Sequence, residues 1–257
     1  SPWWLAEADH LWLSDSGDSE YASLPSANQR DSAQTHRDLM YYNVLVRDKT
    51  PVPLDCFDNH EFPDAFRNPF LNDPLSFANA VWLSFMRGST YIAYTVQPES
   101  LEKYQADLLK NIMKFCRDNA SHIFVKHGQM VLGNPGLGEV YGFLQPGKDE
   151  SWCLLRNPLA VPVRTKIDTS FLTHKLGSTV QFYPHFEALN MKKELTFLPH
   201  ELKVAIFSSR KVKLPYSEPF IVEKKNSSFE FKFPASLEMS RNVRPMAHPV
   251  HRIESLR

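Results

Sequence analysis

Cysteine is scarce in this sequence: its 257 residues include only Cys56, Cys116 and Cys153. The three are widely spaced and odd in number, so they form no CxxC motif, no zinc-ligand pattern and at most one disulfide. The ten histidines form no HExxH motif, so the sequence gives no support for a bound metal. A GxSxG elbow is also missing, which removes the usual local sign of Ser–His–Asp acyl transfer. We expect neither a metal nor another cofactor.

An excess charge is missing as well. Lys and Arg together number 29, and so do Asp and Glu, so no net field would attract nucleic acid or an anionic membrane. No apolar run approaches the length of a membrane span, and no signal segment follows Ser1. We therefore expect neither nucleic acid nor a membrane as a partner. The sequence starts without Met in an apolar stretch, which suggests processing or truncation.

The composition is globular and rich in aromatic residues. Hydrophobic residues make up 42% of the chain and aromatic residues 12%, including five Trp and eighteen Phe. A large core accounts for most of these rings. Sugar sites also use exposed rings as stacking surfaces, and composition alone leaves both uses open.

The first half of the sequence alternates short apolar runs with helical patterns. Strand, polar loop, helix, strand and polar loop in this order are typical of a parallel sheet built from βαβ units. Pro and Gly mark the ends of the predicted helices. The predicted elements are a strand at Leu11–Leu13, a helix at 28–48, a strand at Val52–Phe57, a polar loop at Asp58–Glu61, and helices at 74–87 and 98–118.

After residue 122 the pattern changes to short apolar runs between Gly, Pro and Asn turns, which indicates an antiparallel sandwich. The Gly-rich segment Gly133–Gly138 is predicted to be a turn between two of these runs. The predicted fold class is therefore α/β plus all-β: an incomplete (β/α)8 TIM barrel over 1–121, an antiparallel β-sandwich over 122–210, and an extra β segment with a loose tail over 211–257. The predicted strands are at Ile123–Val125, 139–144, 152–155, 161–167, 180–182 and 204–207.

Carboxylates follow the two predicted parallel strands, where barrel enzymes carry their chemistry. Glycoside hydrolysis needs two carboxylates on one bond, one to protonate the leaving oxygen and one to attack the sugar or activate water. Such residues also fill ordinary loops, and that alternative stays open. The candidates are Asp15 and Asp18 after the first strand, Asp9 just upstream, and Asp55, Asp58, His60 and Glu61 at the second.

Basic and aromatic residues near these carboxylates are candidates for substrate binding. Arg37 and Asp38 lie one heptad after Arg30 and Asp31 on a predicted helix, where they would either clamp sugar hydroxyls or form a structural ion-pair face. Trp3 and Trp12 lie beside the first carboxylates. Either ring would stack on a sugar or pack in the core.

Several short segments carry a family resemblance. They are Ser1-Pro2-Trp3-Trp4-Leu5, Ala8-Asp9 with Leu11-Trp12, Asp15 and Asp18, Thr35-His36-Arg37-Asp38, Val52-Pro53-Leu54, Phe85-Met86-Arg87-Gly88-Ser89, Gln97-Pro98, Asn119-Ala120, Glu139-Val140-Tyr141-Gly142 and Leu155-Arg156-Asn157-Pro158. In this order, over roughly residues 1–170, the sequence resembles the end of the catalytic barrel in bacterial proteins related to the family 36 α-galactosidases (melibiases), some of which are labelled "enterotoxin".

The resemblance implies that Leu11–Leu13 is the seventh barrel strand and Val52–Phe57 the eighth. The relatives use an Asp on the fourth strand, outside this chain, as nucleophile and an Asp after the sixth strand as acid/base. In the α-galactosidases Pro follows the acid/base Asp, and the matching residues here are Ser1 and Pro2. Because Ser cannot deliver a proton as a carboxylic acid does, the acid role moves to Asp9, Asp15 or Asp18, or the activity differs or is lost.

The resemblance thus implies a retaining glycosidase for α-linked sugars such as α-galactosides, completed by an upstream barrel segment. In it, Asp15, Asp18 and Asp9 are the catalytic candidates, and Trp3, Trp12, Arg37, Asp55 and His60 bind the carbohydrate. The alternative is a non-catalytic carbohydrate-binding or structural descendant of the barrel. An extracellular or periplasmic location is suspected.

Overall fold

The computed structural model describes residues 7–13, 29–61, 74–94, 96, 98–212, 221–225 and 228–232. None of the helices in these segments has both the length and the apolar character of a membrane span.

The first part of the chain forms a three-stranded parallel sheet. Strands β1 (Leu11–Trp12), β2 (Phe57–Glu61) and β3 (Tyr91–Tyr94) lie side by side in that order, and both neighbouring pairs are parallel. Helix α1 (Gln29–Tyr42) connects β1 to β2, and α2 (Pro74–Met86) connects β2 to β3. The predicted βαβ arrangement is confirmed, and so are the first two predicted helices.

The second strand does not lie where the sequence predicts it. The prediction of a strand at Val52–Phe57 and a polar loop at Asp58–Glu61 is wrong, because Leu54–Cys56 forms a 3₁₀ helix and β2 follows it directly. Pro53 cannot donate to a strand ladder, and its carbonyl instead accepts a 3.1 Å hydrogen bond from the Cys56 N–H. Polarity does not distinguish a loop from a strand whose polar side chains are bound inside the protein.

The third parallel strand, β3, is missing from the sequence prediction. Gly88, two residues after the end of α2, has φ +90°. This conformation favours Gly, because Gly has no Cβ. The chain then returns as β3, in which Tyr91 is the register partner of Asp58. The family resemblance implied that β1 and β2 are the last two parallel strands. That expectation is wrong, because β3 follows them in the same sheet.

A helix leads from β3 to the second part of the chain. The predicted helix at 98–118 is present as a 3₁₀ turn at Pro98–Ser100 and an α-helix, α3, at Lys103–Asp118. Glu102 accepts the hydrogen bond of the Gln105 N–H, and the Gln105 Oε1 accepts that of the Glu102 N–H at 2.9 Å. This reciprocal capping box fixes the start of α3.

The predicted strand at Ile123–Val125 is wrong, because Ala120–Ile123 forms the short helix α4. Ile123 is fully buried in the main core, so this apolar run reflects packing instead of strand pairing. The turn predicted at Gly133–Gly138 is confirmed, and it contains a 3₁₀ helix at Pro135–Leu137 between two strands.

Beyond α4 the chain is antiparallel, as the sequence predicts. Its strands are β4 Gln129–Leu132, β5 Tyr141–Gln145, β6 Glu150–Arg156, β7 Val163–Thr165, β8 Ser178–Tyr183, β9 Glu187–Ala188, β10 Leu195–Phe197, β11 Leu202–Ser208, β12 Ile221–Lys225 and β13 Ser228–Lys232. A six-stranded sheet has the order β4-β5-β6-β11-β8-β9, β7 pairs with β10, and β12 pairs with β13. The predicted runs at 139–144, 152–155, 180–182 and 204–207 contribute to β5, β6, β8 and β11.

The main hydrophobic core lies between the helices and one face of the six-stranded sheet. Trp82 of α2 is fully buried, and its ring centroid lies 5.3 Å from that of Phe115, 5.9 Å from Phe182 and 5.3 Å from Tyr183. Phe115 comes from α3, whereas the other two residues come from β8. The core therefore crosses the predicted domain boundary between residues 121 and 122.

A second core covers the other face of the six-stranded sheet. Cys153 and Phe207 of that sheet cluster with Ile167, beside β7, and with Phe197 of β10. All four side chains are at most 3% exposed. The sheet is thus apolar on both faces, which explains why Trp152–Leu155 in the middle of β6 is a continuous hydrophobic run without alternation.

Alkaline conditions should destabilise this fold through its buried tyrosines. Burial raises the pKa of Tyr41 from 10.0 to about 12. Because the folded value lies above the unfolded one, the Tyr41 contribution is complete below the unfolded pKa and is lost between pH 10.0 and about 12. Tyr41→Phe should therefore make the free energy of unfolding fall less steeply in this window, by up to about 1.4 kcal/mol per pH unit.

Denaturant unfolding of the full-length protein at several pH values measures this slope, and the ultraviolet absorbance of tyrosinate follows the ionisation. Tyr91→Phe is the matched control, because Tyr91 is 49% exposed. Equal slopes for wild type and Tyr41→Phe would contradict the prediction.

Candidate functional site

The two faces of β2 carry different kinds of polar residue. Phe57, Asn59 and Glu61 are buried, whereas Asp58 and His60 are half-buried and alternate with them. Successive side chains of a strand point to opposite faces, so Asp58 and His60 share the face that lies away from the buried side chains. We call this the open face of the parallel sheet.

Three residues of the open face contact one another and form the open-face group: Trp12, Asp58 and His60. Trp12, the register partner of Asp58, is 58% exposed. Its ring stacks on the His60 ring with centroids 6.0 Å apart and an interplanar angle of 16°. His60 Nε2 donates to Asp58 Oδ2 at 2.8 Å. The tip of this group is thus a large exposed ring, and its base is a carboxylate–imidazole pair.

The second oxygen of Asp58, Oδ1, is buried and accepts no hydrogen bond from any residue that the structure describes. A buried carboxylate oxygen without a donor is unfavourable. The group therefore combines an exposed ring with a carboxylate that has one buried oxygen without a donor among the described residues.

Asp9 and Asp55 lie at the opposite, amino-terminal end of the sheet. Asp9 precedes β1, and Asp55 lies in the 3₁₀ helix before β2. Burial raises the pKa of the Cys56 thiol, and the carboxylates of Asp55 and Asp9 raise it further. The expectation that Asp55 lies at the carboxyl end of a strand is therefore wrong, and Asp55 does not join the open-face group.

Arg37 also lies apart from the open-face group, beneath the sheet. It is 3% exposed, and its Nη1 lies 2.8 Å from Glu61 Oε1 and donates to Asn59 Oδ1 at 3.0 Å. The structural ion-pair alternative describes this arrangement better than a clamp on substrate. The remaining predicted site residues, Trp3, Asp15 and Asp18, lie outside the described residues.

The sequence prediction missed Arg87, which follows α2 and is fully buried. Its Nε donates to Asp38 Oδ1 at 2.8 Å, its Nη1 to Glu61 Oε1 at 2.6 Å and its Nη2 to Gln34 Oε1 at 2.5 Å. Burial lowers the pKa of Arg87, but the carboxylates of Asp38 and Glu61 outweigh burial and raise it above its ordinary value. A charged residue directly after an apolar helix is the signal in the sequence that indicates a buried, paired arginine at this position.

The antiparallel sheet extends this network. The Tyr141 hydroxyl donates to Asp38 Oδ2 and accepts from Arg156 Nη1 at 2.7 Å. Arg156 also donates to Thr35 Oγ1 at 2.7 Å and to the Asp31 carbonyl at 3.0 Å. Burial raises the pKa of the Tyr141 phenol above its ordinary value. We call the eight residues Asp31, Gln34, Arg37, Asp38, Glu61, Arg87, Tyr141 and Arg156 the buried network.

The network restricts what its carboxylates can do. Glu61 ends β2, at the end of the sheet where barrel enzymes carry catalytic groups, but two guanidinium groups contact it and it is 4% exposed. A buried side chain that two guanidinium groups contact serves the fold and is not accessible to a substrate. Within the described part of the chain, no three His, Cys, Asp or Glu residues cluster closely enough to hold a metal ion.

No family model matches the chain, and no curated protein matches it significantly. Among solved structures, a proposed α-galactosidase from Bacteroides fragilis is similar, with 13% identity, a TM-score of 0.38, and coverage of 52% of this chain and 28% of that one. An α-amylase from Geobacillus thermoleovorans complexed with acarbose has 14% identity, a TM-score of 0.47, and coverage of 67% and 43%. A maltogenic α-amylase from Thermotoga neapolitana has 12% identity, a TM-score of 0.47, and coverage of 68% and 46%.

The chain therefore spans less than half the length of each of these structures. By their descriptions these similar structures are glycoside hydrolases. Because every TM-score is below 0.5, the function of this chain has to be argued from its own residues.

Glu61 should be essential for stability. Glu61→Gln keeps the side-chain shape but leaves the charges of Arg37 and Arg87 buried with one carboxylate fewer. We expect the free energy of unfolding to fall by about 3–5 kcal/mol, the usual cost of breaking a buried pair. Denaturant unfolding measures this loss, and Asp48→Asn is the control because Asp48 pairs with Arg47 in solvent. A loss in Glu61→Gln no larger than in the control would contradict this role.

Proposed function

We propose that this chain forms the last parallel strands of a glycoside hydrolase-like (β/α)8 barrel that acts on α-linked sugars such as α-galactosides. The open-face group is the observation that carries the proposal. Trp12 offers an exposed ring for the apolar face of a sugar, and Asp58 and His60 offer hydrogen-bonding groups beside it. The order β1-α1-β2-α2-β3, with every strand parallel to its neighbour, supports a barrel segment.

The proposed barrel ends at β3. α3 follows β3 and packs against the antiparallel sheet, since the Phe115 ring lies 6.0 Å from that of Trp152. If β3 is the eighth strand, β1 is the sixth. The resemblance implies an acid/base Asp after the sixth strand, and Asp15 and Asp18 follow β1 in the sequence. On this count Asp15 or Asp18 takes the acid role. Ser1 precedes the sixth strand and so no longer matches the acid/base position.

The proposed reaction needs two carboxylates, one of which protonates the leaving oxygen. We assign this role to Asp15, with Asp18 holding or protonating sugar oxygens, and assign the nucleophile to a strand upstream of this chain. Asp9 precedes β1, so we assign it no catalytic role. The antiparallel part, proposed as a sandwich over 122–210, braces the barrel segment over 1–121 through the main core.

A non-catalytic carbohydrate-binding protein is the second candidate. It is favoured by the partners of the described carboxylates around β2: Asp58 accepts from His60, and Glu61 contacts Arg37 and Arg87. Such a protein would bind sugar through the same open-face group and leave the glycosidic bond intact.

Trp12 should determine sugar affinity. In the full-length protein, Trp12→Ala should weaken binding of α-galactosides about tenfold, because a ring contact contributes on the order of 1 kcal/mol beyond its buried area. Titration calorimetry measures the dissociation constant. Phe186→Ala is the matched control, since Phe186 is 48% exposed and lies in the antiparallel part. Unchanged affinity in Trp12→Ala would remove the open-face group from the sugar site.

Asp15 and Asp18 should control turnover. Asp15→Asn and Asp18→Asn should lower kcat on aryl α-galactosides by about 10²–10⁴, the contribution of a positioned acid, while sugar affinity stays close to that of wild type. Asp168→Asn is the control, because Asp168 is an exposed residue of the antiparallel part. Undiminished rates in both variants would end the enzymatic assignment, and sugar binding by wild type without hydrolysis would select the second candidate.

A further inference from the structure

We infer that Tyr141 and Arg156, which belong to the antiparallel sheet, are positioning residues for the sugar site on the parallel sheet. This inference rests on the proposed function and extends the site to residues that do not touch the sugar. It assigns the antiparallel sheet a part in ligand affinity besides its part in the core.

A continuous chain of contacts joins the two sheets. Arg156 donates to the Tyr141 hydroxyl, and Tyr141 donates to Asp38. Asp38 accepts from Arg87, which in turn donates to Glu61, the last residue of β2. All five side chains are at most 5% exposed. Glu61 directly follows His60, so the chain of contacts ends at the strand position next to the open-face group.

A second set of contacts holds the backbone of Arg87, the fourth residue in this chain of contacts. Gln145, at the other end of β5 from Tyr141, donates through Nε2 to the carbonyls of Met86 at 3.2 Å and Arg87 at 3.3 Å. At Gly88 a Cβ would lie 2.4 Å from that nitrogen, so only Gly permits this approach. Strand β5 therefore holds both the backbone of Arg87 and, through Tyr141 and Asp38, its side chain.

The same residues hold α1. Arg156 contacts the Asp31 carbonyl and Thr35 in the first two turns of the helix, and Tyr141 contacts Asp38 one turn further on. Hydrogen bonds weaken steeply when the angle between donor and acceptor changes, so buried ones fix the direction of their partners. The buried network, and not the hydrophobic core alone, thus sets where α1 and the carboxyl end of β2 lie relative to each other.

Tyr141 is the link whose removal tests the inference, because Tyr141→Phe deletes one hydroxyl and leaves the ring. We expect Tyr141→Phe to weaken sugar binding by the full-length protein about tenfold, a coupling within the range of network residues that lack ligand contact. Titration calorimetry well below the unfolding midpoint measures the affinity. Trp12→Ala is titrated in parallel.

Leu155→Ala separates positioning from loss of stability. Leu155 precedes Arg156 in β6 but lies in the second core on the other face of the sheet. We expect this variant to unfold at lower denaturant concentration than Tyr141→Phe and yet to bind sugar within about twofold of wild type. If Tyr141→Phe does not fold, Thr35→Val, which removes one acceptor of Arg156, should weaken binding about threefold.

Each outcome has a distinct meaning. Wild-type affinity in Tyr141→Phe together with a loss in Trp12→Ala would overturn the positioning role and leave the proposed function intact. Equal losses of affinity in Tyr141→Phe and Leu155→Ala would also overturn it, because the effect would then follow stability alone. Failure of wild type to bind any α-linked sugar would overturn the proposed function and this inference with it.

Discussion

The guanidinium of Arg87 carries a positive charge with no access to solvent. Moving such a charge from water into a protein costs several kcal/mol unless close partners replace its hydration. Asp38, Glu61 and Gln34 supply that replacement. Because Asp38 and Gln34 come from α1 and Glu61 from β2, a single buried charge determines how the helix, the strand and the end of α2 come together.

This constraint explains which elements the sequence could predict. Helix α3 has a periodic hydrophobic pattern, because Leu108, Ile112 and Phe115 are buried on one of its faces. β2 has only one apolar residue, Phe57, because its other buried positions, Asn59 and Glu61, face the guanidinium of Arg37. A strand with polar buried positions has the composition of a loop, and no single-sequence pattern reveals the partner that makes its burial favourable.

The misplaced start of β2 also determined which site residues the sequence could predict. Trp12 lies in a parallel strand, as the apolar run Leu11–Leu13 predicts. His60 lies inside β2 and not in the predicted loop, and Asp55 lies before β2, because the predicted start of the strand is five residues too early. With a rise of about 3.3 Å per residue, that shift is about 16 Å along the strand. It moves Asp55 from the carboxyl end of the sheet to the amino end.

Alternation along β2 divides its carboxylates between two uses. Glu61 lies on the side of the helices, where two arginines contact it and make it a fixed part of the scaffold. Asp58, on the open face, contacts a half-buried histidine and keeps one oxygen without a donor among the described residues. A side chain that stabilises the fold cannot also exchange partners with a ligand. The open face is therefore the side of β2 whose polar side chains lie outside the buried network.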